Sequence, residues 1–300
     1  MIRWGLCCIF REAPIKFRRT TARYLARLLP DERMHHLSTI CLHNARSLLK
    51  ALRFCRRNGL YAFRINSQIL PIKTHPQYGY PIEALPQSTE IVNEFKKCKI
   101  YCRQHNLRTS FHPDQFILLS SPKPEVTRRS IADLRYQAEV AEWVGADVIN
   151  IHAGGAYGNK DEALERLSMR IGGLPQNVRR RLTLENDDRL YTPRDLLPVC
   201  EKLAIPLVYD RHHHLCLPDG RNVEDTTQLA LKTWDREPLF HISSPLKSWQ
   251  NRNPRNHHDY INLDDFPECW LKLDITVEVE AKAKELAVLK LMREIEKKGL

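Results

Sequence analysis

Histidines and carboxylates recur at one kind of place in this chain. His112 closes an apolar run at 107–112, His152 closes one at 147–152, and Glu185 lies near the end of one at 181–186. Asp210 closes the run 205–210, with His213 three residues on. His241 lies within 239–243, and Glu278 and Glu280 lie at the end of 274–279 and just past it. The loop after 60–65 carries Thr74-His75-Pro76, and the loop after 239–243 carries His257 and His258. Imidazole and carboxylate groups gathered together bind divalent transition metals. Two or three such cations bind a phosphate, activate water and stabilise a leaving oxyanion. A lone histidine or glutamate at such a position is more often structural. Five successive runs that each end in one are hard to assign to chance, even with 13 histidines in the chain. Position alone does not choose among His212, His213 and His214, or between His257 and His258. Glu278 and Glu280 share one strand face, because side chains alternate. His35, His36, His43 and His105 lie in helical patterns and are set aside.

These groups need a scaffold that brings the ends of the runs together. Eight short β-rich runs are visible, at 2–6, 60–65, 107–112, 147–152, 181–186, 205–210, 239–243 and 274–279. Several are almost continuously apolar, as expected for strands of a parallel sheet buried on both faces. Helical patterns separate them at 36–58, 88–106, 124–143, 193–203 and 281–298. Asn58-Gly59 stops the first, and Thr192 caps the fourth with Pro193 at its first position. Eight strands alternating with helices over 300 residues predict an α/β fold, a (β/α)8 TIM barrel forming a single domain across 1–300. An open doubly wound sheet is the alternative, but no GxGxxG follows the first run. In a barrel the strand ends converge on one face, where long connections such as 211–222 and 245–258 carry function.

A net charge of +11 and a pI near 9.3 favour a polyanionic partner through counterion release, and duplex DNA is the one expected. The basic clusters at 18–19, 56–57, 96–97, 128–129 and 179–181 are, taken singly, ordinary solvated helix faces. No apolar run approaches the roughly 18 residues of a membrane span. The first ten residues are too short and too soon followed by charge for a secretion signal, so a cytoplasmic location is expected. Nine cysteines without a CxxC pair read as free thiols in a reducing compartment. Gln115-Phe116, just past a run end, would suit a wedge between bases, or Phe116 would begin the run 116–119 and pack inside. The residues leave both open. The loop 153–158, with three glycines and Tyr157, would let a backbone approach closely. Arg64, at the end of the second run, and Tyr157 are further candidate DNA contacts. A sugar isomerase on the same barrel would also place His, Glu and Asp at strand ends, but needs neither the positive charge nor the Gln-Phe pair. An abasic-site endonuclease and a non-catalytic DNA-binding protein are the other rivals.

Taken in order, FRINSQILPIKTHP, FHPDQF, NIHAGGAYGNK, LTLENDDRL, LVYDRHHH and EAKAKE, with Cys8 at the end of the first run, resemble the UV damage endonucleases over about residues 1–290. The resemblance implies a barrel related to endonuclease IV and incision immediately 5′ to cyclobutane pyrimidine dimers or 6-4 photoproducts. It implies 3′-hydroxyl and 5′-phosphate products. It implies two to three divalent ions, manganese foremost, with zinc or another divalent ion as the alternative. His112 and His152 would hold one ion, and Glu185 would bridge to a second. Asp210, His241 and Glu280 would complete the second, Glu280 matching the family's EAK pattern while Glu278 better keeps the spacing from Asp274. His213 and His257 would serve a third. His75 matches another active-site histidine, so the catalytic set is Glu185, His75 and His241. Gln115 and Phe116 match a Gln-aromatic pair inserted at the lesion. The chain departs from some relatives at Leu6, Phe10 and Leu239, where they carry tyrosine, asparagine and lysine. No protein partner is implied, and a monomer is expected.

Overall fold

Each apolar run becomes a strand with one face to bury against helices and one to turn into a barrel. The computed structural model describes residues 1–299. Its strands are β1 (Ile2–Cys7), β2 (Ala62–Ile65), β3 (Arg108–Phe111), β4 (Val148–His152), β5 (Leu182–Glu185), β6 (Leu207–Asp210), β7 (Leu239–Ile242) and β8 (Ile275–Val279). They pair in parallel and in chain order, and β8 closes on β1. The helices between them are α1 (Ala22–Leu25), α2 (Pro30–Arg57), α3 (Ser88–Gln104), α4 (Pro124–Val144), α5 (Lys160–Gly172), α6 (Gln176–Arg179), α7 (Pro193–Leu203), α8 (Arg211–Cys216), α9 (Val223–Leu231) and α10 (Glu285–Lys297). This is the (β/α)8 barrel expected from the alternation. Among the described residues no helix is long and apolar enough to cross a membrane. All nine cysteines are unpaired thiols.

Strand alternation divides the apolar residues in two. Phe63, Phe111, Ile151, Leu184, Tyr209, Phe240 and Val277 join helix residues such as Leu48, Leu52, Phe95, Leu134 and Leu291 in one continuous core. Each such large side chain contributes roughly 1.5–3 kcal/mol on full burial. Val148, Val208 and Leu239 form a separate small cluster. They take the alternate strand positions, which face the barrel interior. Leu239 therefore packs with Val148 and Val208 two residues below His241. Polar inward positions are Ser110, Asn150, Thr183, Glu185, Asp210, His241 and Glu278, all buried.

Helix boundaries differ from the sequence reading for local reasons. The first long helix begins at Pro30 rather than near residue 36. Pro30 suits the first position, and the Glu32 carboxylate accepts from the Leu29 amide at 3.0 Å. The last begins at Glu285 rather than near 281. The segment 211–222, read as a loop, opens with helix α8. The Asp210 carboxylate caps it by accepting from the His213 amide at 2.7 Å. Helices α5 and α9 lie in stretches given no helix, and each is capped by an asparagine, Asn159 and Asn222. The loop 245–258 folds back on itself through an antiparallel bridge between Pro245 and His257.

Candidate metal centre

The register of the barrel sets the site. His152 pairs with Glu185, Asp210 with His241, and His241 with Glu278 across neighbouring strands. Glu185 stands opposite Val208, so the row Asp210, His241 and Glu278 lies two residues further along than the row His152 and Glu185, and His112 joins them one residue past β3. Three overlapping groups have ligand atoms within 4.8 Å of one another: His112, His152 and Glu185; His112, His241 and Glu280; Glu185, Asp210 and His213. Glu185 is the hub. Its Oε2 lies 2.8 Å from His112 Nε2 and 4.0 Å from His152 Nε2, and its Oε1 lies 3.2 Å from His213 Nδ1 and 3.3 Å from His241 Nδ1. His241 Nδ1 is 3.5 Å from Glu280 and 3.9 Å from Asp210.

The donor chemistry fits divalent cations. Glu185 Oε1, Asp210 Oδ2, His152 Nδ1 and both ring nitrogens of His241 are buried without a well-formed hydrogen bond. Buried polar atoms left so are uncommon, and several aimed into one space suit an ion. The electrostatics agree. Burial pushes the Glu185 carboxyl up, but His241, His152 and His112 overcome this and hold it well below the carboxylate range. Burial also works against charge on His241, yet Glu185, Glu278 and Glu280 pull its pKa well above the usual value. Against the same burial, Asp210 and Glu185 lift His213 to about 10. A divalent cation among these groups would compete with protons for the same imidazole and carboxylate atoms.

The geometry separates the histidines and glutamates that position left ambiguous. Of the triple, His213 faces Glu185 and Asp210. His214 is tied to the Tyr209 hydroxyl at 2.8 Å and to Asp219 at 3.1 Å. His212 is buried against Trp249 and His257. His257 Nδ1 lies 3.8 Å from Glu280, whereas His258 accepts from the Tyr260 amide. Glu280 belongs to the ligand groups. Glu278 lies deeper, bonded to Ser110 and 3.1 Å from His241 Nε2.

Other expected site residues are placed differently. Arg64 is mostly covered, with its guanidinium against Glu280 and 3.4 Å from Glu278. His75 lies outside the ligand groups. Its Nδ1 accepts from the Gln77 and Tyr78 amides, and it lines a cleft of about 490 Å³ with Phe116 and Arg129. Phe116 does not pack inside. It is 69% exposed beside exposed Gln115, while Ile117 and Leu119 are buried. Tyr157 is exposed at φ +51°, a left-handed conformation, and its ring covers Gly155, where an added Cβ would stand 3.0 Å from it. Sequence reasoning missed the supporting groups Asn150, which donates to Glu185, and Asn186, which brackets the Asp210 backbone through its own amide. Asn150 lies two residues before His152, and that inward alternation was its available signal.

The family model described as UV-endonuclease UvdE matches residues 2–299. A protein of Bacillus velezensis named UV DNA damage endonuclease is 35% identical over 302 residues, covering 96% of this chain and 91% of its own. A solved structure described as SacUVDE superposes with a TM-score of 0.88 at 25% identity, over 100% of this chain and 99% of that one. Endonuclease IV of Thermus thermophilus shares the fold, with a TM-score of 0.61 at 16% identity over 98% of each chain. With the family model matched end to end, this chain belongs to the UvdE family of UV endonucleases.

Proposed function

We propose that this protein is a metal-dependent DNA repair endonuclease that hydrolyses the phosphodiester bond immediately 5′ to UV photoproducts. In this reading it leaves a 3′-hydroxyl and a 5′-phosphate and acts as a monomer in the cytoplasm. The observation that carries it is the ring of orphaned imidazole and carboxylate atoms around Glu185, with exposed Phe116 four residues past His112 in the chain. Two or three divalent ions bound there, manganese first and zinc as the alternative, supply Lewis-acid charge to a phosphodiester and acidify water. His112 and His152 hold one position with Glu185. Asp210, His241 and Glu280 form a second, and His213 and His257 a third. Arg64 keeps Glu280 in place. Damaged DNA unstacks at lower cost, and Gln115 and Phe116 occupy the gap, with His75 lining the cleft beside them.

The test is incision of an end-labelled duplex carrying one cyclobutane thymine dimer, with manganese and with chelator. We expect one metal-dependent cut directly 5′ to the dimer, absent in Glu185→Ala. Absence of that cut with verified metal loading overturns the photoproduct reading. Cutting of abasic DNA alone would replace it with an abasic-site activity.

A further inference from the structure

The outer wall of the barrel carries a charge that the ligand ring does not explain. From Met34 to its end, α2 has no carboxylate, and it exposes Arg46, Lys50, Arg53 and Arg57 at intervals of three or four residues, the spacing of one helix face. Helix α3 lies alongside: Arg46 is 2.6 Å from Glu90, and the Arg53 guanidinium lies 6.0 Å from the Tyr101 ring centre. It exposes Lys96 and Arg103 and has no carboxylate after Glu94. Its two carboxylates are engaged, Glu90 by Arg46 and Glu94 by Lys97 at 2.7 Å. Lys50, Arg53, Arg57, Lys96 and Arg103 make no ion pair among the described residues. An ordinary solvated face mixes signs, whereas one sign over two adjacent helices suits an outside anion.

This wall is remote from the ring. Barrel helices run back against their strands, so α2 and α3 end where β2 and β3 begin: Arg57 lies five residues before Ala62, and Arg103 five before Arg108. His112 lies past the opposite end of β3. Duplex DNA has a persistence length of about 150 base pairs, so a duplex lying across the mouth does not fold down the wall. The stripe from Arg46 to Arg57 runs roughly 16 Å at the helical rise, and α3 flanks it at about 8–10 Å. Ile100 is the one large apolar side chain exposed on the two helices. The wall thus lacks the apolar centre of a protein interface, which a phosphate backbone does not need.

We infer that the α2–α3 wall binds the backbone of a second, undamaged DNA duplex while the mouth holds the first. The inference rests on the endonuclease reading above for the duplex in the mouth and goes beyond it for the wall. Contact there is with phosphates alone, so it is independent of base sequence and weakens with salt. It gives the enzyme a hold on one DNA segment while the mouth engages or leaves another.

The experiment fills the mouth of the full-length, manganese-loaded protein with a short dimer duplex carrying an uncleavable phosphate analogue at the scissile position. A short undamaged duplex is then titrated in, and sedimentation reads the mass of the complex. We expect one protein with two duplexes for the wild type, and one protein with one duplex for Lys50→Gln/Arg53→Gln/Arg57→Gln/Lys96→Gln. The second duplex should weaken with salt at a log–log slope of roughly −4 to −5, for about five phosphates. Incision of an ordinary short dimer duplex should keep its kcat and KM in the variant, which also shows that the variant folds. A single bound duplex in the wild type, two duplexes joined by two proteins, or a second duplex that persists in the variant overturns the wall while incision stands. So does a wall that takes poly-glutamate and no DNA, which assigns it to an acidic protein. A wild type that makes no cut at the dimer overturns the endonuclease reading instead, whatever the number of duplexes bound.

Discussion

Arg64 lies between Glu278 and Glu280, as His241 does, at the depth where the ring meets the polar interior. Removing one partner of a buried ion pair leaves the remaining charges uncompensated. Arg64→Met should therefore weaken manganese binding roughly 10- to 100-fold, the usual effect of losing a group that orients a ligand. Arg64→Lys should recover part of the loss, because its point charge lacks the planar fork. Manganese titration calorimetry reads the effect. Unchanged metal affinity with weakened DNA binding would make Arg64 a DNA contact instead. At this scale, residue type and strand-end position revealed that a ligand set exists. They did not reveal which histidine of 212–214 turns inward, because helix α8 decides that and its cap is a tertiary detail. Nor could they reveal that Arg64 points at Glu280, since β2 and β8 are 216 residues apart at that contact.

Helix α10 shows how an element at the rim is held. Glu285, its first residue, is buried and accepts from the backbone amides of Arg11, Glu12 and Ala13 at 2.8, 2.8 and 3.0 Å. Burial raises this carboxyl, but the three N–H donors hold it below its ordinary value. A depressed carboxyl adds stability above its unfolded pKa of about 4.3, and the gain disappears as pH falls through the folded value. Glu285→Gln should thus cost about 1.5–3 kcal/mol at neutral pH, as for hydrogen bonds to a charged group. Urea melts of both proteins should converge as pH drops below about 4. A gap that persists in acid would mean that shape, not charge, holds the segment after β1. The strands were legible because each is a short apolar run, and α2, α3, α4 and α7 because their apolar residues recur at helical spacing. Helices α5 and α9 escaped because their starts depend on Asn159 and Asn222 as caps ahead of charged first turns. Helix α8 escaped because six residues with three histidines look like a loop until Asp210 is seen to cap them.

The whole barrel and its ions should be linked in stability. A ligand bound by the folded state alone stabilises it, by about 2.7 kcal/mol at a hundredfold excess over Kd. Chelation should lower the Tm by several degrees in calorimetry, and manganese should restore it. A Tm indifferent to both would mean that the ring holds no ion under those conditions. Closure by pairing β1 with β8, Gly5 opposite Glu278, also orders events during synthesis. The first strand waits for almost the whole chain before it gains that neighbour. Glu280, one residue past β8, comes with the same segment, so the candidate ligand ring and the barrel seam are completed together. A nascent chain stalled after β7 would expose two unpaired edges, at β1 and β7, and lack a ligand. On the proposed reading, the segment that closes the barrel also completes the site, so a chain without it would not cut DNA.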